Sequence, residues 1–242
     1  MSDWFRTLTA GNNLPAAAAT ELQERGVVVM PGPLSPGRME RLARAYDAAM
    51  ASAIGDDIRI GSSTTRVNDF VNRGAEFDDP YVFPPVLEAC VRVIGRPFKL
   101  STRLARTLRR HQPAQGLHVD VRRDSADWPL VGFILMVDEF RPDNGATCFV
   151  PGSHTRPRAP PDAMPNQPAV GQVPTCGRAG SLLIFNGSAW HGHGVNTTSE
   201  TRRSIQGFFI PRDGHASTDF AARMAPETRA RLSPLAHHVL AL

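Results

Sequence analysis

The sequence predicts a mainly β domain, a β-sandwich or jelly roll, that is preceded by helices. Two observations support this prediction: short β-rich runs alternate with turn signals from residue 98 onward, and the earlier residues contain three segments of helical spacing. Many short strands separated by turns are typical of two-sheet antiparallel folds. The chain has 242 residues, which is enough to bury a substantial core, so we expect one domain.

Residues 1–97 are expected to form a helical N-terminal support that includes a loop region. Apolar residues recur on one helix face in three segments, Ala16–Arg25, Pro36–Ser52 and Pro84–Ile94. The β-branched run Gly26–Met30 predicts a short strand, and a Pro-Gly-Pro turn follows it. Residues 53–80 are polar and show little periodicity. We expect them to form a loop-rich segment near the mouth of a functional site.

The jelly-roll core is expected over residues 98–212, and residues 213–242 are expected to form a C-terminal tail. Seven runs have strand character: Phe98–Leu108, Leu117–Val121, Leu130–Val137, Ala146–Val150, Ser181–Phe185, Ala189–Val195 and Ser204–Ile210. Turn signals such as Asn144-Gly145 and Asn186-Gly187 separate them. The proline-rich stretch 156–174 is unsuited to a central strand, so it should be a surface insertion, either a lid or a long connection.

The composition is that of a globular protein. Hydrophobic residues make up 41% of the chain and charged residues 21%, which argues against a disordered segment. There is no apolar run of roughly 18 residues, as a membrane span requires, and the first residues lack a secretion-signal pattern. A cytoplasmic protein is therefore expected. The cysteines Cys90, Cys148 and Cys176 are too few for a disulfide framework and are interpreted as reduced packing residues.

Arginines supply most of the positive charge of a chain whose formal net charge is +4. They cluster on both sides of a His-Val-Asp motif, at positions 103, 106, 109, 110, 122 and 123. Such a cluster can attract an anionic substrate or a nucleic acid, although a solvated basic face is the simpler interpretation. No aromatic residues interleave with these arginines as a base-stacking platform requires, which disfavours nucleic acid.

The His-Val-Asp motif is the first candidate for a metal site. His118 and Asp120 are two residues apart in an expected strand, so their side chains should point to the same face. With a second histidine they would form the two-histidine, one-carboxylate site typical of non-haem iron enzymes. The motif alone is common by chance. The second histidine should come from a later strand, where His191 and His193 are both candidates that spacing does not separate.

Two arginines, Arg202 and Arg203, follow these histidines at the start of an apolar run. A guanidinium inside a closed barrel is costly unless it meets an anion, and its forked geometry suits a carboxylate. An exposed arginine pair at the start of a strand is the alternative.

Several motifs together resemble the phytanoyl-CoA dioxygenase family. They are HVD at 118–120, NGATCFVPGSH at 144–154, WHGHGVNTTSETR at 190–202, and the opening ERGVVVMPGPLSPGRMERL. The resemblance implies a double-stranded β-helix, a cupin-like jelly roll with N-terminal helices, that uses iron(II), 2-oxoglutarate and O2. It implies that His118, Asp120 and His191 hold the iron and that Arg202 holds the cosubstrate. His193 then lies near the cosubstrate carboxylate or packs structurally. Thr147 donates a hydrogen bond to the cosubstrate or is an exposed strand residue.

The same resemblance bears on the reaction. Related halogenases have a small residue in the place of Asp120, so the carboxylate favours hydroxylation, with desaturation or rearrangement still open. The substrate is expected to be a small or medium-sized metabolite that contacts Phe70, Trp128 and Phe133. His154 is interpreted as a structural turn residue. A non-catalytic jelly-roll binding module and a nucleic-acid-modifying oxygenase are the rival hypotheses.

Overall fold

A computed structural model of the chain describes residues 4–9, 11–120, 129–156 and 170–242. Trp128, Arg122, Arg123 and most of the proline-rich stretch 156–174 lie outside these ranges. The helices are α1 (Trp4–Thr9), α2 (Ala16–Arg25), α3 (Pro36–Ser52), α4 (Pro84–Ile94), α5 (Phe220–Arg223), α6 (Pro226–Arg231) and α7 (Pro234–Leu240). The strands are β1 (Val27–Pro31), β2 (Ile58–Ile60), β3 (Thr64–Asn68), β4 (Phe98–Leu108), β5 (Val131–Met136), β6 (Thr147–Phe149), β7 (Val173–Pro174), β8 (Ser181–Asn186), β9 (His191–His193) and β10 (Arg202–Pro211).

The strands form two antiparallel sheets. The larger sheet has seven strands in the order β1-β8-β5-β10-β4-β3-β2, and the smaller has three in the order β7-β6-β9. Isolated bridges join Gln112 to Asn196 and His118 to His191, so the extended segment 112–118 runs beside β9 in the smaller sheet. This arrangement confirms the expected mainly β jelly roll.

The larger sheet is covered on both faces, and β5 shows how one strand serves two cores. All six residues of β5 are buried. Val131, Phe133 and Leu135 belong to the large cluster that includes residues of the helices, whereas Ile134 and Met136 belong to a smaller cluster that includes residues of the smaller sheet. This alternation follows from the two-residue period of a strand. The functional face is therefore the one that carries Ile134.

The N-terminal helices have the bounds that their sequence signals predict. Helix α2 ends at Gly26, whose φ of 77° suits glycine and whose backbone N–H donates to the carbonyl of Leu22. Helix α3 begins with a proline in its first turn and buries Met39 and Leu42 on one face. These helices support the larger sheet, as expected.

Residues 53–80 are more ordered than the sequence suggests. Instead of a loop region alone, they contain β2 and β3, which extend the larger sheet outward from β4. Several residues of β2 and β3 are exposed to solvent, so these segments are rich in polar residues and their sequence gives little indication of a strand. The turn between them, Gly61–Ser63, does lie at the mouth of a cavity, as expected.

The last thirty residues are not a tail. Helix α7 packs against β4, and Phe220, Val239 and Leu240 are buried in the large cluster. In the described part of the chain, no helix combines the length and the apolar character that crossing a membrane requires.

The Asn144-Gly145 turn is formed as predicted but joins strands of different sheets. Gly145 has a φ of 80°, and the Asn144 side chain accepts from the backbone N–H of Arg141 and donates to the carbonyl of Glu139. Because β5 and β6 lie in separate sheets, the turn is a corner of the jelly roll and not the end of a hairpin.

Candidate active site

The backbone places His118 and His191 directly opposite each other. The N–H of His118 donates to the carbonyl of His191 at 2.9 Å, and the N–H of His191 donates back at 3.0 Å. Gly192 permits this approach, because a Cβ there would lie 2.9 Å from the carbonyl oxygen of Gln115 and 3.0 Å from that of Gly116. Two more hydrogen bonds, from Asp120 to Gly187 and from Gln115 to His193, extend the pairing. The segment that carries His118 and Asp120 is thus fixed against β9.

The side chains of His118, Asp120 and His191 converge on one point. One ligand atom from each lies within 4.8 Å of the others, and the His191 Nε2 is 3.4 Å from the Asp120 Oδ2. The Nδ1 of His191 is 2.9 Å from the carbonyl oxygen of Ala189, and the Nδ1 of His118 is 3.3 Å from that of Gly116. Donation from each Nδ1 to a carbonyl would leave both Nε2 atoms free to bind a metal.

The electrostatics keep His118 and Asp120 in the protonation states that metal binding needs. Burial, with a smaller contribution from His191, lowers the pKa of His118 to about 4. Burial alone would raise the pKa of Asp120, but the hydrogen bond to His191 and the charges of His191, His118 and Arg106 together outweigh it, and the pKa is lowered. At neutral pH, His118 is therefore a neutral donor and Asp120 a carboxylate. Two nitrogen donors and one oxygen donor suit iron(II).

Aromatic rings hold His191 in place. Phe149 stacks on its imidazole at 5.1 Å with an angle of 18° between the planes, and Phe185 packs against it at 4.9 Å. Phe149 is the residue opposite His191 on β6. The stacking fixes the ring and shields one side of the site from water.

A cavity of about 230 Å³ extends from this cluster to Arg202. The Arg202 side chain is 1% exposed, and its guanidinium lies 4.1 Å from the ring centroid of Phe140. Its Nε and Nη1 atoms are buried and make no hydrogen bond to any residue in the described ranges. Burial lowers the pKa of Arg202 to about 10. A buried cation with unused donors fits an anionic ligand such as the distal carboxylate of 2-oxoglutarate.

Two further predicted cosubstrate residues line the same cavity. Thr147 and His193 face each other across β6 and β9 and are both buried. The Nε2 of His193 is 3.0 Å from the hydroxyl oxygen of Ser63, and the Nδ1 of His193 is 2.9 Å from the carbonyl oxygen of Gly194. Its contact with Ser63 ties the β2–β3 turn to the site.

Two of the predicted substrate contacts, Phe70 and Phe133, lie in the hydrophobic core and not in the cavity. Phe70 packs against Tyr46 and Phe77 in the large core, and Phe133 packs against Phe209 in the same cluster. Neither residue lines the cavity. Phe133 points to the opposite face of β5, the one that the helices cover. Ile134, Phe185 and Phe208 provide the apolar lining instead. Trp128 lies outside the described residues.

Other predicted positions have structural contacts. The Nε2 of His154 is 3.0 Å from the carbonyl oxygen of Gln23, away from the cavity. Arg203, on the opposite face of β10 from Arg202, pairs with Asp138 at 2.7 Å and Asp47 at 2.8 Å. Asn196 donates to the carbonyls of Arg109 and Glu200 and so shapes the loop before Arg202.

Sequence reasoning missed three polar residues that line the cavity: Arg66, Gln115 and Gln206. Arg106 was noted only as part of a basic cluster. For Gln206 the missed signal was the alternation along β10, which places it on the same face as Arg202.

Comparison with known proteins identifies the family of this chain. The model of the phytanoyl-CoA dioxygenase (PhyH) family matches residues 22–204. Dioxygenase trt7 of Aspergillus terreus is 28% identical over 214 residues, which cover 81% of this chain and 73% of the relative. Multifunctional dioxygenase prhA of Penicillium brasilianum is 28% identical over 229 residues, or 82% of this chain and 75% of the relative.

Solved structures share the fold at lower identity. HygX from Streptomyces hygroscopicus, with nickel, 2-oxoglutarate and hygromycin B bound, has a TM-score of 0.70 at 16% identity over 84% of this chain and 90% of its own. The epimerase SnoN, in complex with Fe3+, alpha ketoglutarate and nogalamycin RO, has a TM-score of 0.63 at 22% identity over 81% and 82% of the two chains. Since the family model covers more than half of the sequence, this chain belongs to the phytanoyl-CoA dioxygenase family and is a non-haem iron, 2-oxoglutarate-dependent dioxygenase.

Proposed function

We propose that His118, Asp120 and His191 bind the iron(II) and that Arg202 binds the distal carboxylate of 2-oxoglutarate. The enzyme then hydroxylates an unactivated C–H bond of a small or medium-sized metabolite. One observation carries the proposal: a three-ligand cluster and a buried arginine with unused donors line the same cavity. Their combination in one cavity matches the two charged ends of the cosubstrate.

When bound, iron(II) and 2-oxoglutarate would supply the oxidant from O2, with release of succinate and CO2. The chain supplies placement. His118 and His191 offer imidazole nitrogens, Asp120 offers one negative charge, and Arg202 holds the far end of the cosubstrate in a fixed direction. The rings of Phe149 and Phe185 limit the access of water to His191.

Thr147 and His193 support the cosubstrate from the side. Both line the cavity that Arg202 also lines. The Thr147 hydroxyl makes no hydrogen bond to any residue in the described part of the chain, so it can donate to a carboxylate. Burial lowers the pKa of His193 to about 4, which keeps it neutral. It therefore shapes the cavity without adding a charge.

Asp120 supports hydroxylation over halogenation. In related halogenases a small residue takes the place of this carboxylate and leaves room for a halide. Here the carboxylate is present, 22% exposed at its side chain, and directed at the two histidines. The ligands named in the HygX and SnoN complexes, hygromycin B and nogalamycin RO, support a metabolite as the substrate.

The ligand assignment is tested by the visible charge-transfer band that iron(II) and 2-oxoglutarate give when they are bound together without oxygen. The wild-type protein should show the band, and His118→Ala and His191→Ala should lose it. His154→Ala is the matched control, since that histidine lies away from the cavity, and it should keep the band. If the band persists in both ligand variants, the assignment is wrong.

The choice between the two candidate histidines has its own test. His193→Ala should retain iron, measured as metal bound per protein after gel filtration. Retention of iron by His191→Ala with loss in His193→Ala would reverse the assignment.

A further inference from the structure

Three arginines lie in a row across adjacent strands. Arg59 on β2 is directly opposite Arg66 on β3, and Arg66 is directly opposite Arg106 on β4. Opposed residues of an antiparallel pair project from the same face of the sheet, so the three side chains are neighbours. We call these residues the arginine row. The next strand carries Ser204 opposite Arg106, with Arg202 two residues away on the same face.

The row is unfavourable for folding alone. Like charges that are directly opposed destabilise a sheet. Arg59 and Arg66 form no hydrogen bond or ion pair within the described ranges. Arg106 donates from Nη2 to the neutral side-chain oxygen of Gln115 at 2.9 Å, while its buried Nε has no partner there. Burial, with the charges of Arg66 and Arg202, lowers the pKa of Arg106 to about 9.

Some arginines elsewhere in the structure are accompanied by carboxylates. Arg73 pairs with Asp57 at 2.8 Å, and Arg231 pairs with Asp78 at 3.0 Å. Arg59 and Arg66 have no such carboxylate partner among the described residues.

The row lines a second cavity beside the metal cluster. All three arginines border a space of about 580 Å³, together with the β2–β3 turn and residues 112–116. No Asp or Glu is among the described residues that line it. Arg66, Arg106 and Gln115 also border the 230 Å³ metal cavity, so the two spaces adjoin.

The volumes assign the two spaces to different ligands. Sites for small molecules usually enclose about 300 to 1,000 Å³, so the inner cavity is too small to hold the cosubstrate and a metabolite together. The outer cavity is large enough for the metabolite, and its charged lining is entirely positive. Arg202 already serves the far carboxylate of the cosubstrate under the proposed function, which leaves the row free for another anion.

We infer that the substrate carries an anionic group, a carboxylate or a phosphate, that binds to Arg59 and Arg66 in the outer cavity. The carbon to be oxidised then lies past Arg106, next to the metal cluster. This inference rests on the proposed function, since it takes the inner cavity to be the cosubstrate site. A guanidinium fork matches the oxygens of either anion.

Three probes of one ring system test the inference: 1-naphthol, 1-naphthoate and 1-naphthyl phosphate. Each is titrated by its fluorescence into protein loaded with iron(II) and 2-oxoglutarate without oxygen. We expect at least one anion to bind about tenfold more tightly than 1-naphthol, because charge-assisted hydrogen bonds add roughly that factor. Arg66→Ala should remove most of this preference and Arg59→Ala part of it. Both should leave 1-naphthol binding unchanged.

Arg110→Ala is the matched control. Arg110 follows two residues after the end of β4, is exposed, and borders neither cavity. The stronger of the two anionic probes identifies the group as carboxylate or phosphate. Equal binding of all three probes, or an effect of Arg66→Ala no larger than that of Arg110→Ala, would overturn the inference.

The charge-transfer band separates this failure from a failure of the proposed function. Arg59→Ala, which alters the outer cavity alone of the two, should keep the band and the wild-type affinity for 2-oxoglutarate. If Arg59→Ala weakens the binding of 2-oxoglutarate as much as it weakens the binding of the anionic probe, the row serves the cosubstrate and the inference is wrong. If the wild-type protein gives no band, the proposed function fails, and the inference fails with it.

Discussion

Replacing Arg202 with methionine should stabilise the ligand-free protein and abolish binding of 2-oxoglutarate. Burial lowers the pKa of Arg202 well below its ordinary value, to about 10. At 1.36 kcal/mol per pKa unit, this shift corresponds to about 3 kcal/mol of unfavourable burial of the charge. Methionine removes that cost and can still pack against Phe140, so we expect the free energy of unfolding to rise by roughly 1 to 3 kcal/mol.

The effect on cosubstrate binding has the opposite sign. Removing one partner of a buried ion pair costs about 3 to 5 kcal/mol, which is a loss of roughly a hundred- to a few thousand-fold in affinity. Urea unfolding of the metal-free protein measures the first effect, and titration of the charge-transfer band measures the second. Wild-type protein at a hundredfold excess of 2-oxoglutarate over its Kd should gain about 2.7 kcal/mol of stability, and Arg202→Met at the same concentration should gain at most about 0.3 kcal/mol.

Arg203→Met is the matched control for this experiment. Arg203 is paired with Asp138 and Asp47, so its loss should lower the stability and leave the affinity for 2-oxoglutarate unchanged. Our account of Arg202 would be refuted if Arg202→Met were less stable than the wild-type protein without ligands, or if it bound 2-oxoglutarate normally.

Three further predictions concern other parts of the structure. Gly192→Ala should weaken iron binding at least tenfold, measured by competition with a chelator, because its Cβ would press on the backbone carbonyls beside His118; unchanged affinity would contradict the tight approach of the two strands. Ser63→Ala should leave iron bound but lower the affinity for 2-oxoglutarate roughly twofold to fivefold, because His193 loses its contact with Ser63, as titration of the band would show. Glu88 has a lowered pKa, since burial would raise it but hydrogen bonds from Leu14 and Arg92 outweigh that effect. A lowered folded-state pKa gives stability that is present above the unfolded pKa of about 4.5 and lost as the pH falls below it. The stability difference between wild-type protein and Glu88→Gln should therefore be full at pH 7 and shrink in acid unfolding curves; a difference independent of pH would exclude this role.

The regular strands of the core could be predicted because their sequence patterns are strong. Residues 98–108 were predicted and form β4 with the same bounds. The convergence of His118 and Asp120 followed from the alternation of an extended backbone, although the structure shows a single bridge at His118 instead of a full strand. Local rules sufficed in both cases.

The missed features depend on long-range pairing. β2 and β3 have polar sequences that carry little periodicity, and they become strands because they extend an existing sheet. Phe133 was expected in the cavity, whereas its neighbour Ile134 lies there. β5 is buried on both faces, so its hydrophobicity does not reveal which side faces the site. The position of Arg66 between Arg59 and Arg106 depends on strand pairing, which the sequence alone does not reveal.

The facing pair of His118 and His191 also has a consequence for the mechanics of the fold. The two residues are far apart in the chain, and without a metal the segment around His118 is held to β9 by a few backbone hydrogen bonds. An ion bound by both imidazoles would act as a reversible cross-link that closes a long loop, and it would stabilise the folded chain, in which the ligands meet. Hydrogen exchange at the His118 and Asp120 amides should therefore slow sharply when metal is added, while exchange in β4 changes little.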